Sequence, residues 1–379
     1  MISLLTAVTL CFCLCGSVPG AGAAEDAPAA DVQAASDALR EGLAASADSI
    51  DLSGCRLPRG CLTDVFSGVL LDSPELFYVD SRLSYTYDRT GCVLDVFPVY
   101  TLSGGALADA RQLWQRTVDD FCADLAAAAA ACDGLALIGA DGAAPEDFPA
   151  WGEADTVLFI HDRLAAAYEY DESGTRFDAL SLFRDGCGVC QAYALAFLAL
   201  ARAAGLHAEV VVSAAMDHAW NRVCVDGAWY QVDVTRDDPI TAQSAAQGAA
   251  QGAASCVRHE RLFMSDGTAA LLGYREYGTP PGHECVSGRF GAGGLAVCGT
   301  AFVRLGGGWY CEADGLLCRA DTRDGSVGRP GDTDGDGELT LYDLLLLEHL
   351  LRADPDSPYP ARLRILLTER AASPLAAGV

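Results

Sequence analysis

An apolar stretch in the middle of the chain, followed by three strand-like segments, limits the fold more than any other feature. Residues 190–205 read "CQAYALAFLALARAAG" and are apolar almost all round, which is typical of a helix buried on every side. The runs "AEVVVSA", "HAWNRVCV" and "WYQVDV" then have the composition of strands. The sequence therefore predicts an α+β fold in which a buried helix packs on an antiparallel sheet.

The dipeptide Asp226-Gly227 separates the last two strand-like runs and is a strong hairpin signal. A two-residue turn would place Trp220 opposite Asp233 and Thr235 opposite His218. Because side chains alternate along a strand, His218 and Asp233 would then share a face of the sheet as diagonal neighbours. Their backbones would lie about 7–8 Å apart, within reach of the two side chains.

Two cysteines, Cys187 and Cys190, lie at the start of the buried helix in "DGCGVCQAY". A Cys-x-x-Cys pair fits a disulfide, half of a metal site, or a nucleophile beside a second thiol. A metal site needs two further ligands, for which Cys224 and His218 are the candidates. At the first turn of a helix, the dipole and free N–H groups favour a thiolate at Cys190. Cys190, His218 and Asp233 therefore form a candidate catalytic triad.

The stretches "GCGVCQAYALAFLALARAAGLHAEVVV" and "HAWNRVCVDGAWYQVDVT" resemble the transglutaminase-like (papain-like cysteine) superfamily, and the chain as a whole resembles its secreted bacterial members. The positions that match the family pattern are Cys190, Tyr193, His218, Trp220, Asn221, Asp233 and Thr235. Looser similarity extends to "IHDRLAAAYEYD", "LFMSD" and "DSPELFYVD". The resemblance implies a papain-like core in which the cysteine helix packs on the sheet that carries His and Asp.

The resemblance also implies an acyl-transfer reaction on protein or peptide substrates, with no cofactor for catalysis. Cys190 would attack a peptide or glutamine-type amide, His218 would act as base and then as acid, and Asp233 would orient His218. The family includes cross-linkers, amidases, peptidases and inactive scaffolds. The alternative is therefore an inactive scaffold or binding module attached to a cell-surface or cellulosome-like assembly.

Cys187 lies between two glycines, outside the predicted helix and at a position that the family pattern leaves variable. A disulfide between Cys187 and Cys190 would block the nucleophile. We therefore predict that such a bond would be a redox switch rather than a structural staple.

The segment "DTDGDGELTLYD", residues 332–343, predicts a calcium-binding loop. Gly337 stands at position 6, where the loop turns sharply. The ligands would be Asp332, Asp334, Asp336, Glu338 through its backbone carbonyl, Thr340 and Asp343. With the "LLLLEHLL" helix that follows, the segment resembles one repeat of a type I dockerin, which implies Ca²⁺ as a ligand and a cohesin or cell-surface scaffold as a partner.

A dockerin has two such repeats, and the second is incomplete here. In "DPDSPYPARLRILL" only Asp354 and Asp356 stand at ligand positions, the position-6 glycine is missing, and Ile365 replaces the last carboxylate. Calcium binding remains the expectation. For the Leu-rich helix, packing on the catalytic domain is an alternative to cohesin binding.

Composition and the first residues point to an exported protein. An apolar core followed by "AGAA" predicts a signal peptide over residues 1–24, and no other segment is a candidate transmembrane span. The net charge of −27 argues against nucleic acid as a partner, because phosphate binding needs clustered Lys and Arg. Outside the cell, the 13 cysteines beyond the signal would form up to six disulfides and leave one free thiol.

The chain divides into regions by composition and pattern. Residues 62–100 alternate like strands, residues 106–132 read as a long helix, and residues 240–255 are a low-complexity insertion. The predicted organisation is a signal peptide (1–24), a small N-terminal α+β region (25–140), the transglutaminase-like domain (141–290), a short β extension (291–323), a linker (324–331) and the dockerin-like calcium module (332–370).

Overall fold

The computed structural model describes residues 6–8, 27–133, 151–238 and 257–290, and in the C-terminal part residues 303–305, 308–313, 316–321, 326–329, 331–333 and 343. The architecture is α+β, as predicted, with small antiparallel sheets. Most of the signal peptide, the low-complexity insertion, and the ligands Asp334, Asp336, Glu338 and Thr340 lie outside the described residues.

The N-terminal region combines three helices with one antiparallel sheet, in the strand order β1-β3-β4-β2. Its elements are β1 (Thr6–Val8), α1 (Ala29–Ala44), β2 (Ile50–Asp51), α2 (Leu62–Asp72), a 3₁₀ turn (Pro74–Leu76), β3 (Val79–Tyr87), β4 (Val93–Tyr100) and α3 (Gly104–Asp133). The long helix and the hairpin between β3 and β4 agree with the sequence pattern. Buried side chains of α1, α2, β3 and β4 share a core of their own.

The expectation of strands throughout residues 62–100 was wrong for its first part, because residues 62–72 form α2. Leu62, Val65, Phe66 and Val69 are buried on one face of this helix. Their spacing of three and four residues is helical, and it brings all four side chains into the N-terminal core.

The central region carries the buried helix and the three predicted strands. Its elements are α4 (Glu153–Ala167), β5 (Glu169–Tyr170), α5 (Ala179–Asp185), β6 (Cys187–Gly188), α6 (Cys190–Ala203), β7 (Ala208–Ser213), a 3₁₀ turn (Ala214–Met216), β8 (His218–Val225), β9 (Ala228–Val232), α7 (Val234–Asp237) and α8 (Asp266–Leu271). The sheet β7-β8-β9 is antiparallel throughout.

Helix α6 is buried along nearly its whole length, as the apolar sequence predicts. Phe197 and Leu198 are fully buried in the main core, so truncation of either to Ala would cost about 2–5 kcal/mol of stability. Gly188 lets the preceding strand approach the helix closely, since a Cβ there would lie 2.6 Å from the Cβ of Ala192.

The hairpin between β8 and β9 has the predicted register, with Val225 paired to Ala228 across a two-residue turn. Asp226 and Gly227 both have positive φ angles, 50° and 80°, which this tight turn requires. The predicted pairing of Trp220 with Asp233 and of His218 with Thr235 was wrong, because β9 ends at Val232. The first residues of β8 therefore have a strand partner only on the β7 side.

The C-terminal sheet packs against the central region. Its strands are β10 (Val303–Leu305), β11 (Gly308–Ala313), β12 (Leu316–Asp321) and β13 (Ser326–Val327), hydrogen-bonded in that order. The indole Nε1 of Trp309 donates to the carboxylate of Asp155 on α4, and Trp309 belongs to the main core.

One acidic residue joins the N-terminal and central regions. The carboxylate of Asp72, at the end of α2, pairs with Arg40 of α1 and with Arg202 of α6. These contacts place the N-terminal region beside the helix that starts with Cys190.

Six of the described cysteines, Cys55, Cys92, Cys122, Cys187, Cys224 and Cys285, have free thiols and so form none of the expected disulfides. For the chain as a whole, the expectation of up to six disulfides stays a prediction. Among the described residues, no helix combines the length and the apolar character needed to cross a bilayer.

Candidate active site

Cys190 is the first residue of α6 and lies 4% exposed against Ala194 and Ala219. The preceding residue, Val189, makes no side-chain cap hydrogen bond to the helix. The first N–H groups of a helix lack partners within the helix, so the start of α6 presents hydrogen-bond donors beside the thiol. These donors and the helix dipole favour a thiolate and can also stabilise a developing oxyanion.

His218 begins β8 and faces both Cys190 and Asp233. Its Nε2 lies 2.6 Å from Oδ2 of Asp233, and the ring is also hydrogen-bonded to Cys190. Burial alone would lower the pKa of His218, but the charge of Asp233 and the hydrogen bonds to Asp233 and Cys190 raise this pKa to about 9. The ring is therefore an imidazolium at neutral pH, which favours a thiolate at Cys190.

Asp233 is the N-cap residue of α7 rather than a residue of β9. Its Oδ1 accepts the backbone N–H of Arg236, and Thr235 lies within α7 instead of opposite His218. Burial would raise the pKa of Asp233, but the charge and hydrogen bond of His218, together with Tyr274 and Arg236, lower this pKa. Asp233 therefore stays ionised beside the imidazolium.

Trp220 supports the imidazole of His218 from one side. The two rings stack with centroids 5.7 Å apart and planes inclined by 18°. The indole Nε1 of Trp220 donates to Oε1 of Gln231 at 2.7 Å, so its own orientation is fixed by β9.

Two further residues of the family pattern anchor α6. Nδ2 of Asn221 donates to the backbone carbonyl of Ala194 at 2.9 Å and so links β8 to the helix. The hydroxyl of Tyr193 donates to Oδ2 of Asp238, just after α7, at 2.6 Å. These contacts hold the cysteine helix, the histidine strand and the aspartate turn in one arrangement.

Sequence reasoning missed Tyr274, whose hydroxyl donates to the same Asp233 oxygen that faces His218. Burial and the charge of Asp233 raise the pKa of Tyr274, which keeps this hydroxyl protonated. Tyr274 lies 41 residues after Asp233 in the chain, and no local pattern indicates the contact.

The metal-site alternative for Cys187 and Cys190 does not fit the fold. His218 and Cys224 stand near opposite ends of β8, about 20 Å apart along the strand, so they cannot both join the cysteine pair at one ion. No disulfide joins Cys187 to Cys190. The redox switch between them stays a prediction.

The calcium motif is described at its first two positions and its last. Asp332 and Asp343 are both buried, and Oδ1 of Asp343 accepts the N–H of Thr333 at 2.7 Å. This contact brings the two ends of the predicted loop together. The hydroxyl of Tyr310 on β11 donates to the carbonyl of Thr333, so the start of the motif packs on the chain's own sheet.

Three comparisons relate the chain to known proteins. The model of the transglutaminase-like superfamily matches residues 147–234. A solved structure titled "a Putative Cysteine Protease from Cytophaga hutchinsonii" is 27% identical and covers 24% of this chain and 37% of that one, with a TM-score of 0.19. A second, titled "a TGase", is 17% identical and covers 40% and 43%, with a TM-score of 0.21.

The chain thus spans less than half the length of either solved structure. A search of the curated proteins found no match. Residues 147–234 form a transglutaminase-like domain.

Proposed function

We propose that this protein is a secreted cysteine enzyme that acts on peptide or glutamine-type amide bonds through Cys190, His218 and Asp233. The observation that carries the proposal is the continuous hydrogen-bonded series of thiol, imidazole and carboxylate within a transglutaminase-like domain. Each member of the series is buried, and the imidazole has a carboxylate partner, as a thiol-activating base requires.

The reaction would proceed in two halves. The thiolate of Cys190 attacks the amide carbonyl carbon, and N–H groups at the start of α6 stabilise the oxyanion. As the C–N bond breaks, the imidazolium of His218 gives its proton to the leaving amine, and a thioester remains. Water or an amine then attacks the thioester and gives a proton back to His218, and the C–S bond breaks to regenerate Cys190.

We further propose export through residues 1–24 and Ca²⁺ binding by the loop at residues 332–343. The approach of Asp343 to the start of that loop supports a closed carboxylate loop. A cohesin or a cell-surface scaffold is the proposed partner of the C-terminal module, on the strength of its dockerin-like sequence. The contact from Tyr310 favours a module that also packs on its own domain.

Covalent labelling with a glutamine-like electrophilic amide tests the enzyme proposal. We expect the label on Cys190, located by peptide mapping, and we expect the Cys190→Ala variant to lose both labelling and amide turnover. Cys187→Ala is the matched control, because it removes the neighbouring thiol and leaves the proposed triad intact. After oxidation, labelling should fall in the wild-type protein and persist in Cys187→Ala.

Two results would contradict these assignments. Full amide turnover by Cys190→Ala would exclude Cys190 as the nucleophile. Failure of Cys190 to react in the folded wild-type protein under reducing conditions would favour the inactive scaffold.

A further inference from the structure

A second polar cluster lies buried behind the proposed active site, and it joins three parts of the chain. His161 and Asp162 lie on α4, Asp237 ends α7, and His259 follows in the segment 257–264; all four are buried. Oδ1 of Asp162 lies 2.8 Å from Nδ1 of His161 and 2.7 Å from Nε2 of His259. Nε2 of His161 lies 3.3 Å from Oδ2 of Asp237. We call these four residues, with Arg261, the α7 clamp.

The geometry of the clamp is that of hydrogen bonds rather than of metal ligation. Ligand atoms of His161, Asp162 and His259 all lie within 4.8 Å of one another, which a metal site would also require. Nδ1 of His161 and Nε2 of His259, however, both contact Oδ1 of Asp162 at hydrogen-bond distance. Ligands around a tetrahedral zinc ion are about 3.3 Å apart, which is wider than these contacts.

His161 stands between two carboxylates and faces one with each ring nitrogen. Only an imidazolium donates from both nitrogens. Burial would lower the pKa of His161, but hydrogen bonds to Asp162 and Asp237 and the charges of these carboxylates raise it to about 9. Arg261 adds a second positive charge, with Nη1 3.7 Å from Oδ1 of Asp237. The two cations thus offset the two buried carboxylates.

The clamp holds the short helix that carries Asp233. Asp233 is the N-cap of α7 and Asp237 ends the helix, about 6 Å away along one helical turn. The backbone of Arg261 joins both ends, because its N–H donates to Oδ2 of Asp237 at 2.9 Å and its carbonyl accepts the N–H of Asp233 at 3.0 Å. A helix of four residues has little stability of its own, so these contacts determine where it lies.

We propose that His161 is a positioning residue: as an imidazolium it fixes Asp237 and, through α7, keeps the carboxylate of Asp233 in contact with His218. Without His161 the helix would lose the hydrogen bond from α4 to Asp237. The Asp233 carboxylate would then move away from Nε2 of His218, which it now contacts at 2.6 Å. The imidazolium form of His218 would lose the negative charge that stabilises it most. The inference rests on the proposed function only in taking His218 as the catalytic base.

Titration of His218 by NMR, with ¹⁵N-labelled histidine, tests this inference without any amide substrate. We expect the pKa of His218 to fall by about 1 in His161→Gln. The reason is that the negative charge of Asp233, which favours the imidazolium, would act on His218 more weakly. The groups that face His218, namely Asp233, Cys190, Trp220 and Tyr274, are unchanged in this variant. His259→Gln is the matched control, because His259 is equally buried and its Nε2 lies 2.7 Å from Asp162 of α4, whereas Nε2 of His161 faces Asp237 of α7.

An unchanged pKa of His218 in folded His161→Gln, or an equal fall in His259→Gln, would overturn the inference. If His161→Gln does not fold, Asp237→Asn keeps the size of the side chain and should give the same fall. In the wild-type protein, both nitrogens of His161 should be protonated at neutral pH, and a neutral ring would equally overturn the inference. The two proposals can fail separately. If the protein shows no amide turnover but His161→Gln still lowers the pKa of His218, the proposed function is refuted and this inference stands.

Discussion

Nε2 of His218 lies 2.6 Å from Oδ2 of Asp233, although no strand pairing joins the two residues. Strand β9 ends at Val232, and the chain turns into α7 immediately afterwards. The contact therefore depends on where α7 begins, while the hairpin register brings the two strands to the correct position.

Replacement of Asp233 by Asn should remove the charge that supports the imidazolium form of His218. The pKa of His218, now raised to about 9, should fall towards its ordinary value. The Cys190 thiolate then loses support from the imidazolium, so the onset of Cys190 alkylation should move to higher pH. Amide turnover should fall about 10²–10⁴-fold. Alkylation rates between pH 5 and pH 10 measure the first effect.

Asp226→Asn is the control for this experiment, since it changes an aspartate at the opposite end of the same hairpin, where Asn tolerates the positive φ. An alkylation profile for Asp233→Asn that matches the wild type would argue against the role given to Asp233.

Replacement of Tyr274 by Phe should destabilise the ionised form of Asp233. Its hydroxyl helps to lower the pKa of that carboxylate, so loss of the hydroxyl raises this pKa. The midpoint of acid unfolding should move to higher pH, and the free energy of unfolding at neutral pH should fall by about 1–3 kcal/mol.

Tyr277→Phe is a close match for Tyr274→Phe, because the hydroxyl of Tyr277 contacts Gln231 rather than Asp233. An acid midpoint that moves equally in both variants would show that the effect does not pass through Asp233.

The stability of the protein should decrease as the pH rises above about 6.5. His161 and His218 each have a pKa raised to about 9 in the folded protein, whereas an unfolded histidine has about 6.5. Their stabilising contribution is complete below about pH 6.5 and is lost as the pH rises through about 9. Buried thiols also lower the stability at high pH. Burial raises the pKa of Cys285 to about 12, so this thiol ionises at lower pH in the unfolded chain than in the folded protein.

Denaturant unfolding from pH 5 to pH 10 measures this dependence. A His218→Gln variant should show a smaller decrease between pH 6.5 and pH 9 than the wild type, because the thiols are the same in both. Stability that is constant or rises over this range in the wild type would contradict the assigned pKa values.

Calcium binding should depend on Asp343, which closes the loop at residues 332–343. Asp343→Asn should weaken Ca²⁺ binding at least about tenfold, because the loop loses one charged ligand. Calorimetric titration of the chelator-treated protein measures this. Asp354→Asn, in the incomplete second repeat, should bind like the wild type, and equal weakening in both variants would place the ion elsewhere.

The main features of the central region could be predicted from local patterns. The apolar run that starts at Cys190 is a buried helix, and Asp226-Gly227 forms the expected two-residue turn. The prediction for residues 62–72 was wrong, because an apolar segment of this length is ambiguous between helix and strand when read alone. The proximity of His218 and Asp233 was anticipated, although by a strand pairing that does not occur.

The sequence by itself determined the buried helix, the hairpin and the placement of Cys190 at a helix start, because these follow from interactions between residues a few positions apart. Only the tertiary structure decided that Tyr274 contacts Asp233 and that His161 meets Asp237, over separations of 41 and 76 residues. Such contacts form where packing brings separate elements together, and a buried charge is stable only beside the partner that packing supplies. The local sequence around each residue does not specify that partner.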